Sequence, residues 1–147
     1  MIKCLLFDFD GVIAESVDVK TLGFKVLFKD YPEHLQAIID YHMLNGGISR
    51  YIKVRYIYEN ILKKKLSEDL FRQLCDRYGE LVKQKVIEAP YSKGALELLE
   101  KCLGHYVMYV VTGTPEYEMR QIAELRGLSR YFAGIYGAPK GKAEIID

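Results

Sequence analysis

Two aspartates behind an apolar run are the residues best placed to do chemistry in this chain of 147 residues. Asp8 and Asp10 follow the apolar stretch 2–6, and Gly11 lets the chain turn away directly after them. Since strand side chains alternate between two faces, carboxylates two residues apart leave on the same side. Such a pair can hold a divalent cation, or one carboxylate can attack an electrophile while the other transfers a proton. The alternative, acids that merely end a strand, suits a single aspartate better than a pair that repels itself.

A second polar segment lies behind another apolar run. Thr112, Gly113 and Thr114 follow a strand pattern and precede Pro115, which is typical of the start of a helix. A hydroxyl and the free backbone N–H groups of a helix N-terminus would offer several donors to an anion such as phosphate. The threonines would serve equally well as helix caps, and the segment alone does not separate the two roles.

Lysines follow a third strand pattern. Lys140 and Lys142 both lie in the segment 137–142, and either could neutralise a phosphate as a point cation, although a lone surface lysine is usually only solvated. In open α/β sheets, ligands bind beyond the carboxyl ends of the strands. All three polar segments fall at such ends, so we expect them to form one site.

The spacing of apolar residues predicts the elements that must position this site. Residues 2–8 have the nearly continuous apolar pattern of a buried parallel strand, whereas 15–88 is helical throughout. Strands alternate with helices again after Pro90. The predicted helices of the middle segment are 17–28, 33–44, 48–63 and 68–85, and the later elements are a helix ending at 104, a strand at 105–111, a helix at 114–127 and a strand at 132–136.

This order predicts an α/β fold with two parts. A parallel, Rossmann-like sheet core would comprise 1–14 and 89–147, and a four-helix subdomain, 15–88, would be inserted after the first strand.

Composition narrows the class of protein. The formal net charge of +1 gives no strong field toward nucleic acid or an anionic membrane. Cys4, Cys75 and Cys102 are scattered in apolar runs, which is typical of reduced, buried thiols. No segment has the pattern of a signal sequence or a membrane span. We therefore expect a soluble, cytoplasmic protein without nucleic-acid or membrane partners.

The three polar segments together resemble the motifs of the haloacid dehalogenase-like hydrolase superfamily. DFDGV at 8–12 is similar to its first motif, VVTGT at 110–114 to its second, and the lysine of GAPKGKAEII to its third. The resemblance covers essentially the whole chain. It implies a phosphatase-type core with a small helical cap that closes over the active site and selects the substrate.

The resemblance also implies a role for each residue. Asp8 would be the nucleophile that forms an aspartyl phosphate, Asp10 the general acid and base, Thr112 a donor to phosphate and Lys142 the charge clamp. Lys142 is favoured over Lys140 because it directly precedes a helical segment. Magnesium is the implied cofactor, held by Asp8, by the backbone carbonyl of Asp10 and by an acid from a fourth motif.

The activity implied is magnesium-dependent hydrolysis of a small phosphorylated metabolite. We expect further substrate contacts from the second motif, from a glycine turn of the cap and from its basic neighbours. These residues are Gly113, Thr114, Gly46, Gly47, Arg50 and Lys53. The alternatives are that the turn is a simple helix break and that the basic side chains are only solvated.

The chain ends at Asp147, before any fourth motif of the superfamily. On that basis we expect a truncated member with weak magnesium binding in the absence of phosphate, and an exposed apolar edge at strand 2–8 that a second copy of the chain covers as a homodimer. A phosphomutase of the same superfamily is an alternative, as is a non-catalytic member that binds a phosphorylated ligand or a partner chain.

Overall fold

A parallel three-stranded sheet lies at the centre of the fold. The computed structural model describes residues 2–147. The strands are β1 (Cys4–Phe7), β2 (Val107–Pro115) and β3 (Gly134–Ala138), in the spatial order β1-β2-β3. Parallel strands bring their carboxyl ends to one edge, so the residues that follow β1, β2 and β3 meet there. The predicted parallel α/β core is confirmed.

A run of helices, called the insert below, follows β1. It comprises α1 (Val17–Leu27), α2 (Leu35–Leu44), α3 (Arg50–Tyr56) and α4 (Glu68–Glu88). The α1 and α4 helices pack closely because Gly23 has no side chain: a Cβ there would overlap the side chains of Val82 and Tyr78. Ser67 caps α4 by accepting a hydrogen bond from the backbone N–H of Leu70 at 3.2 Å.

The third helix of the insert is interrupted, whereas the sequence predicts one continuous helix over 48–63. A π-helical turn (Ile57–Ile61) follows α3, and the N–H of Leu62 donates to the carbonyl of Ile57 at 2.8 Å. This wider turn coincides with the burial of both Ile57 and Tyr58. A regular 3.6-residue pattern does not reveal such a change of hydrogen-bond register.

The remaining helices cover the sheet and lead into the strands later than the sequence predicts. Gly104 and Gly127, with φ of 80° and 69°, make the turns that follow two of these helices. β2 begins at Val107, after the first of these turns, and β3 begins at Gly134, after the second turn and a 3₁₀ helix (Ser129–Tyr131). These helices are α5 (Ala95–Cys102), α6 (Glu116–Leu125) and α7 (Lys142–Ile146).

Cysteine exposure corrects one prediction. Cys75 and Cys102 are buried free thiols as expected, but Cys4 is exposed because it begins β1 at the edge of the sheet. The homodimer expected through this edge stays a prediction. None of the helices within residues 2–147 has the length and apolar character needed to span a membrane.

Candidate active site

The first motif forms a tight loop beyond β1. The strand ends at Phe7, not at residue 8 as predicted, so Asp8 and Asp10 lie in the loop itself. The fully buried Phe9 anchors the loop, and its carbonyl accepts hydrogen bonds from three following N–H groups. Gly11, with φ of 76°, closes the turn. Both carboxylates line the same cavity. The loop therefore places them on the same side, as was expected from the alternation of side chains along a strand.

Asp8 is paired with a lysine from the third motif. Its Oδ1 accepts the N–H of Phe9 at 2.8 Å, and its Oδ2 lies 2.6 Å from Nζ of Lys142 at the start of α7. The two side chains are each about one-third exposed. The structure therefore brings Lys142 to the predicted nucleophile, and this contact favours Lys142 over Lys140 as the motif lysine.

Asp10 has a different set of partners, two of which the sequence analysis missed. Its Oδ1 accepts a hydrogen bond from the buried hydroxyl of Ser16 at 2.6 Å. Its Oδ2 lies 3.5 Å from Nζ of Lys20 and 3.4 Å from the hydroxyl of Thr114. Ser16 directly precedes α1, without capping it through its side chain, and Lys20 lies one turn further on. A spacing of four residues directly after the first motif is therefore the signal that could have identified them.

The second motif runs along the end of β2 and does not cap a helix. The α6 helix begins only at Glu116, and no side chain caps it. Thr112 and Thr114 are buried, and the hydroxyl of Thr112 accepts the N–H of Thr114 at 3.2 Å. The capping role left open by the sequence is therefore absent. Thr114 lines the cavity beside the aspartates, whereas Thr112 borders a smaller adjoining hollow with Lys142.

The glycine turn of the insert lies directly over this end of the sheet. A Cβ at Gly113 would overlap the carbonyl of Gly47, so the absence of a side chain permits the approach of insert and sheet. Gly47 has φ of 82°, and a Cβ on it would lie 3.1 Å from Nζ of Lys142. Gly46 and Gly47 thus line the cavity beside the aspartates, and their expected contact with a substrate stays a prediction.

Arg50 is held in a buried ion pair. Its Nη2 lies 2.6 Å from Oε1 of Glu118 in α6, and its Nη1 donates to the carbonyl of Cys75 at 3.3 Å. The guanidinium carbon lies 4.8 Å from the ring centre of Tyr78. Although Arg50 lines the cavity, its charge is already compensated within the protein, and its expected role in substrate binding stays a prediction.

Lys53 and His42 form a buried pair of a different kind. Nζ of Lys53 lies 3.1 Å from Nδ1 of His42 and donates to the backbone carbonyl of the same residue at 3.3 Å. Burial, Lys53 and Lys20 together lower the pKa of His42 to about 4, so the ring is neutral at neutral pH. Its Nδ1 then accepts from Lys53 while Nε2 donates to the hydroxyl of Thr21 at 3.1 Å, a tautomer assigned from these contacts. Burial, and to a smaller extent Lys20, lowers the pKa of Lys53 to about 8.

A cavity of about 250 Å³ lies between the insert and the sheet. Its polar groups come from both parts of the fold, with carboxylates on the sheet side and cations on the insert side. This volume suits a small molecule rather than a macromolecule. The residues that give it its chemical character are Asp8, Asp10, Lys20, Gly47, Lys53 and Thr114.

The donor set fits magnesium only with help from a ligand. Within residues 2–147, no group of three or more histidine, cysteine, aspartate or glutamate side chains is arranged to hold a metal ion. Asp8 and Asp10 supply oxygen donors in the cavity. Magnesium commonly binds through one or two carboxylates and takes its other ligands from substrate phosphate and water. The carboxylate of Asp8 and the backbone carbonyl of Asp10 are therefore the groups that could hold an ion together with a phosphorylated substrate.

The fold and the site together define a Rossmann-like α/β protein with a polar cavity beyond the carboxyl ends of its parallel strands. A family model for haloacid dehalogenase-like hydrolases matches residues 5–144. The chain belongs to this family. A comparison with curated proteins gives no match.

Solved structures of this family share the fold. A predicted phosphoglycolate phosphatase from Haemophilus somnus is 20% identical with a TM-score of 0.69, over 94% of this chain and 63% of that one. A β-phosphoglucomutase from Clostridium difficile is 19% identical with a TM-score of 0.72, over 95% and 63%. The HAD-hydrolase YfnB from Bacillus subtilis, solved bound to magnesium, is 20% identical with a TM-score of 0.58, over 92% and 65%. The chain thus spans less than two thirds of the length of these structures.

Proposed function

We propose that this protein is a magnesium-dependent phosphomonoester hydrolase that acts on a small phosphorylated metabolite through an aspartyl-phosphate intermediate. The observation that carries the proposal is the unequal placement of the two aspartates: Asp8 lies against Lys142, and Asp10 lies among Ser16, Lys20 and Thr114. Membership of a hydrolase family supports it, as do fold neighbours described as phosphatases.

In the proposed reaction, a carboxylate oxygen of Asp8 attacks the phosphorus atom in line with the ester oxygen. The bond from phosphorus to the leaving oxygen breaks as the bond to Asp8 forms, and Asp10 donates a proton to that oxygen. Water then attacks the aspartyl phosphate while Asp10 takes back a proton. Phosphate leaves and both aspartates return to their starting states.

Cations and donors in the site would stabilise the transferring phosphoryl group. Its charge is spread over equatorial oxygens, so catalysis depends mainly on positioning and electrostatics. Lys142 is close enough to Asp8 to contact a phosphate bound there. Magnesium, held by Asp8 and Asp10 together with the phosphate, would supply further positive charge when bound.

Asp10 is suited to proton transfer by the groups that fix its carboxylate. The hydroxyl of Ser16 holds one oxygen at 2.6 Å, and Lys20 lies 3.5 Å from the other. A general acid must be oriented before it can act, and these contacts come from α1, the first helix of the insert. The insert thereby acts as the cap, since it covers the cavity and also positions a catalytic group.

A phosphatase screen tests this proposal. The full chain is incubated with a set of phosphorylated metabolites, with and without magnesium, and release of inorganic phosphate is measured. We expect magnesium-dependent release that Asp8→Asn abolishes, because the amide has a similar shape but is a poor nucleophile. Asp30→Asn, at an exposed aspartate, is the control and should retain activity. Equal turnover by Asp8→Asn and the unaltered protein would exclude Asp8 as the nucleophile.

Phosphomutase activity is the second candidate, favoured by the TM-score of 0.72 to a β-phosphoglucomutase. Both reactions share the first step. They differ in whether water or a second substrate hydroxyl accepts the phosphoryl group from Asp8. Isomerisation of a sugar phosphate without release of inorganic phosphate would identify the mutase.

A further inference from the structure

Lys53 is a buried cation without an acidic partner. Its side chain is only 3% exposed, yet within residues 2–147 no carboxylate lies at ion-pair distance from it. Both of its hydrogen-bond contacts are to His42, a neutral group at neutral pH. An ammonium has three donors, and a buried charge is costly unless an opposite charge compensates it.

Arg50, one turn earlier on the same helix, is a buried cation whose charge is compensated within the protein. It has a carboxylate partner, Glu118, at 2.6 Å. Both cations line the cavity that also contains Asp8 and Asp10, but among the described residues Lys53 has no carboxylate at ion-pair distance. The compensating anion for Lys53 is therefore best supplied from the cavity.

Lys20 adds a second positive charge to the same wall. Its side chain is 12% exposed, and its Nζ donates to the hydroxyl of Thr114 at 2.9 Å. The charge of Lys20 lowers the pKa of both Lys53 and His42, whereas the carboxylate of Asp10 raises the pKa of Lys53. The charge of Lys20 is partly compensated by Asp10, whose Oδ2 lies 3.5 Å from its Nζ. Of the two lysines, Lys53 is therefore the cation that lacks an anion within the described part of the chain, and Lys20 is a second donor beside it in a cavity of about 250 Å³.

We propose that Lys53, with Lys20 beside it, binds a second anionic group of the substrate, carried by its leaving-group part. The substrate class is thus a small phosphate ester that also bears a carboxylate or a second phosphate. This inference rests on the proposed function, because it assumes that the transferred phosphate occupies the aspartate end of the cavity. The cavity volume keeps the two anionic groups within one small molecule.

His42 is a positioning residue in this subsite. It accepts from Lys53 through Nδ1, and its Nε2 contacts Thr21 of α1, so the ring links α2 to both neighbouring helices. Because the ring is neutral, it orients Lys53 without neutralising it. The charge of the lysine remains available to an anion in the cavity.

Three esters with the same carbon chain test the subsite. They are propane-1,3-diol monophosphate, with no second anion, 3-phosphooxypropanoate, with a carboxylate, and propane-1,3-diol bisphosphate, with a second phosphate. We expect kcat/KM to be about tenfold to hundredfold higher for at least one of the two doubly anionic esters, as charge-assisted hydrogen bonds typically give. Comparison of the last two compounds identifies which anion the site takes.

Lys53→Met removes the charge while keeping a side chain of similar length. The ratio of kcat/KM between the preferred doubly anionic ester and the monophosphate should fall about tenfold or more, whereas the exposed Lys65→Met should leave this ratio unchanged. Thermal unfolding monitors folding: loss of an uncompensated buried charge should leave the midpoint unchanged or raise it. A lower midpoint with an unchanged ratio would show that Lys53 is only structural and overturn the inference.

Calorimetric binding of the same three esters separates this inference from the proposed function. Tighter binding of a doubly anionic ester that depends on Lys53, with no hydrolysis of any compound, would support the subsite and contradict the hydrolase. Hydrolysis of all three esters at equal kcat/KM would support the hydrolase and overturn the subsite.

Discussion

The two aspartates differ in their immediate contacts, and these contacts separate their proposed roles. Asp8 faces Lys142 and is about one-third exposed, which suits a group that must meet an incoming phosphate. Asp10 is held by Ser16 and Lys20, which suits a group that must move a proton along a fixed direction. The shared cavity allows both to act on one phosphate ester.

Ser16 provides a test of this separation. Ser16→Ala removes the 2.6 Å hydrogen bond that orients the Asp10 carboxylate, so kcat should fall about tenfold, while Asp10→Asn should lower it by a factor of about 10² to 10⁴. Steady-state kinetics with a phosphate ester provide the measurement, and the exposed Ser129→Ala is the control. Unchanged kcat in Ser16→Ala would contradict an orienting role.

One part of the site could be predicted from residue types along the sequence, whereas the other part depends on how the helices pack. Asp8 and Lys142 were predicted because their segments follow strand patterns and match family motifs, and the structure places them in contact. His42 was not among the predicted site residues. Its contact with Lys53 depends on how α2 packs against α3, and local sequence does not encode that packing.

At the scale of elements, a buried ion pair joins the insert to the core. Arg50 of α3 and Glu118 of α6 are both less than one-tenth exposed and lie 2.6 Å apart. Removing one partner of a buried pair leaves an uncompensated charge, whereas replacing both by apolar groups is often nearly neutral. The pair should therefore contribute much more to the link between α3 and α6 than a surface pair would.

Glu118→Gln should lower the free energy of unfolding by about 3 kcal/mol, and the double change to Arg50→Met with Glu118→Leu should recover much of that loss. Urea denaturation measures both. The exposed pair of Glu116 and Arg120 within α6 is the matched control, and Glu116→Gln should cost at most about 1 kcal/mol. If Glu118→Gln and Glu116→Gln lower the free energy of unfolding equally, the buried pair contributes no more to stability than the exposed pair.

His42 should make the fold sensitive to mild acid. Its pKa is lowered from 6.5 to about 4 by burial, Lys53 and Lys20, so between these pH values the unfolded chain binds a proton that the folded protein does not. Stability is therefore fully present above pH 6.5 and falls as pH drops toward 4. At about 1.4 kcal/mol per pKa unit, the contribution is about 3 kcal/mol.

Unfolding free energies measured from pH 7 to pH 4 test this expectation. His42→Asn keeps an acceptor near Lys53 but cannot titrate, so its stability should vary less over this range. The exposed His105→Asn should behave like the unaltered protein. If His42→Asn loses as much stability as the unaltered protein across this range, His42 is not the acid-sensitive group.

At the scale of the whole molecule, the site exists because the insert and the sheet approach each other closely. Gly113 at the end of β2 lies under Gly47 of the insert, where a side chain would overlap the Gly47 carbonyl. Without the insert, the aspartates would lie at an open edge of the sheet. The insert supplies the opposite wall, with Lys53, and thereby completes the cavity.

Gly113→Ala should hold the insert away from the sheet. We expect kcat to fall about tenfold or more with a smaller effect on stability, because an incompletely closed site admits water and misplaces α1 relative to Asp10. Gly141→Ala is the control, since a Cβ there meets open space and its φ of −75° suits alanine. A crystal structure of Gly113→Ala with the insert unmoved and full activity would contradict this account.

The central claim is that Asp8 carries the phosphoryl group during turnover. Its most direct test is rapid acid quenching of the protein during steady-state hydrolysis in the presence of magnesium, followed by mass spectrometry of the peptide that contains residues 8–12. The account predicts an acyl phosphate on Asp8 that forms and decays at rates consistent with kcat, and none in Asp8→Asn. Turnover with no phosphoryl group on Asp8, or with the group on another residue, would contradict it.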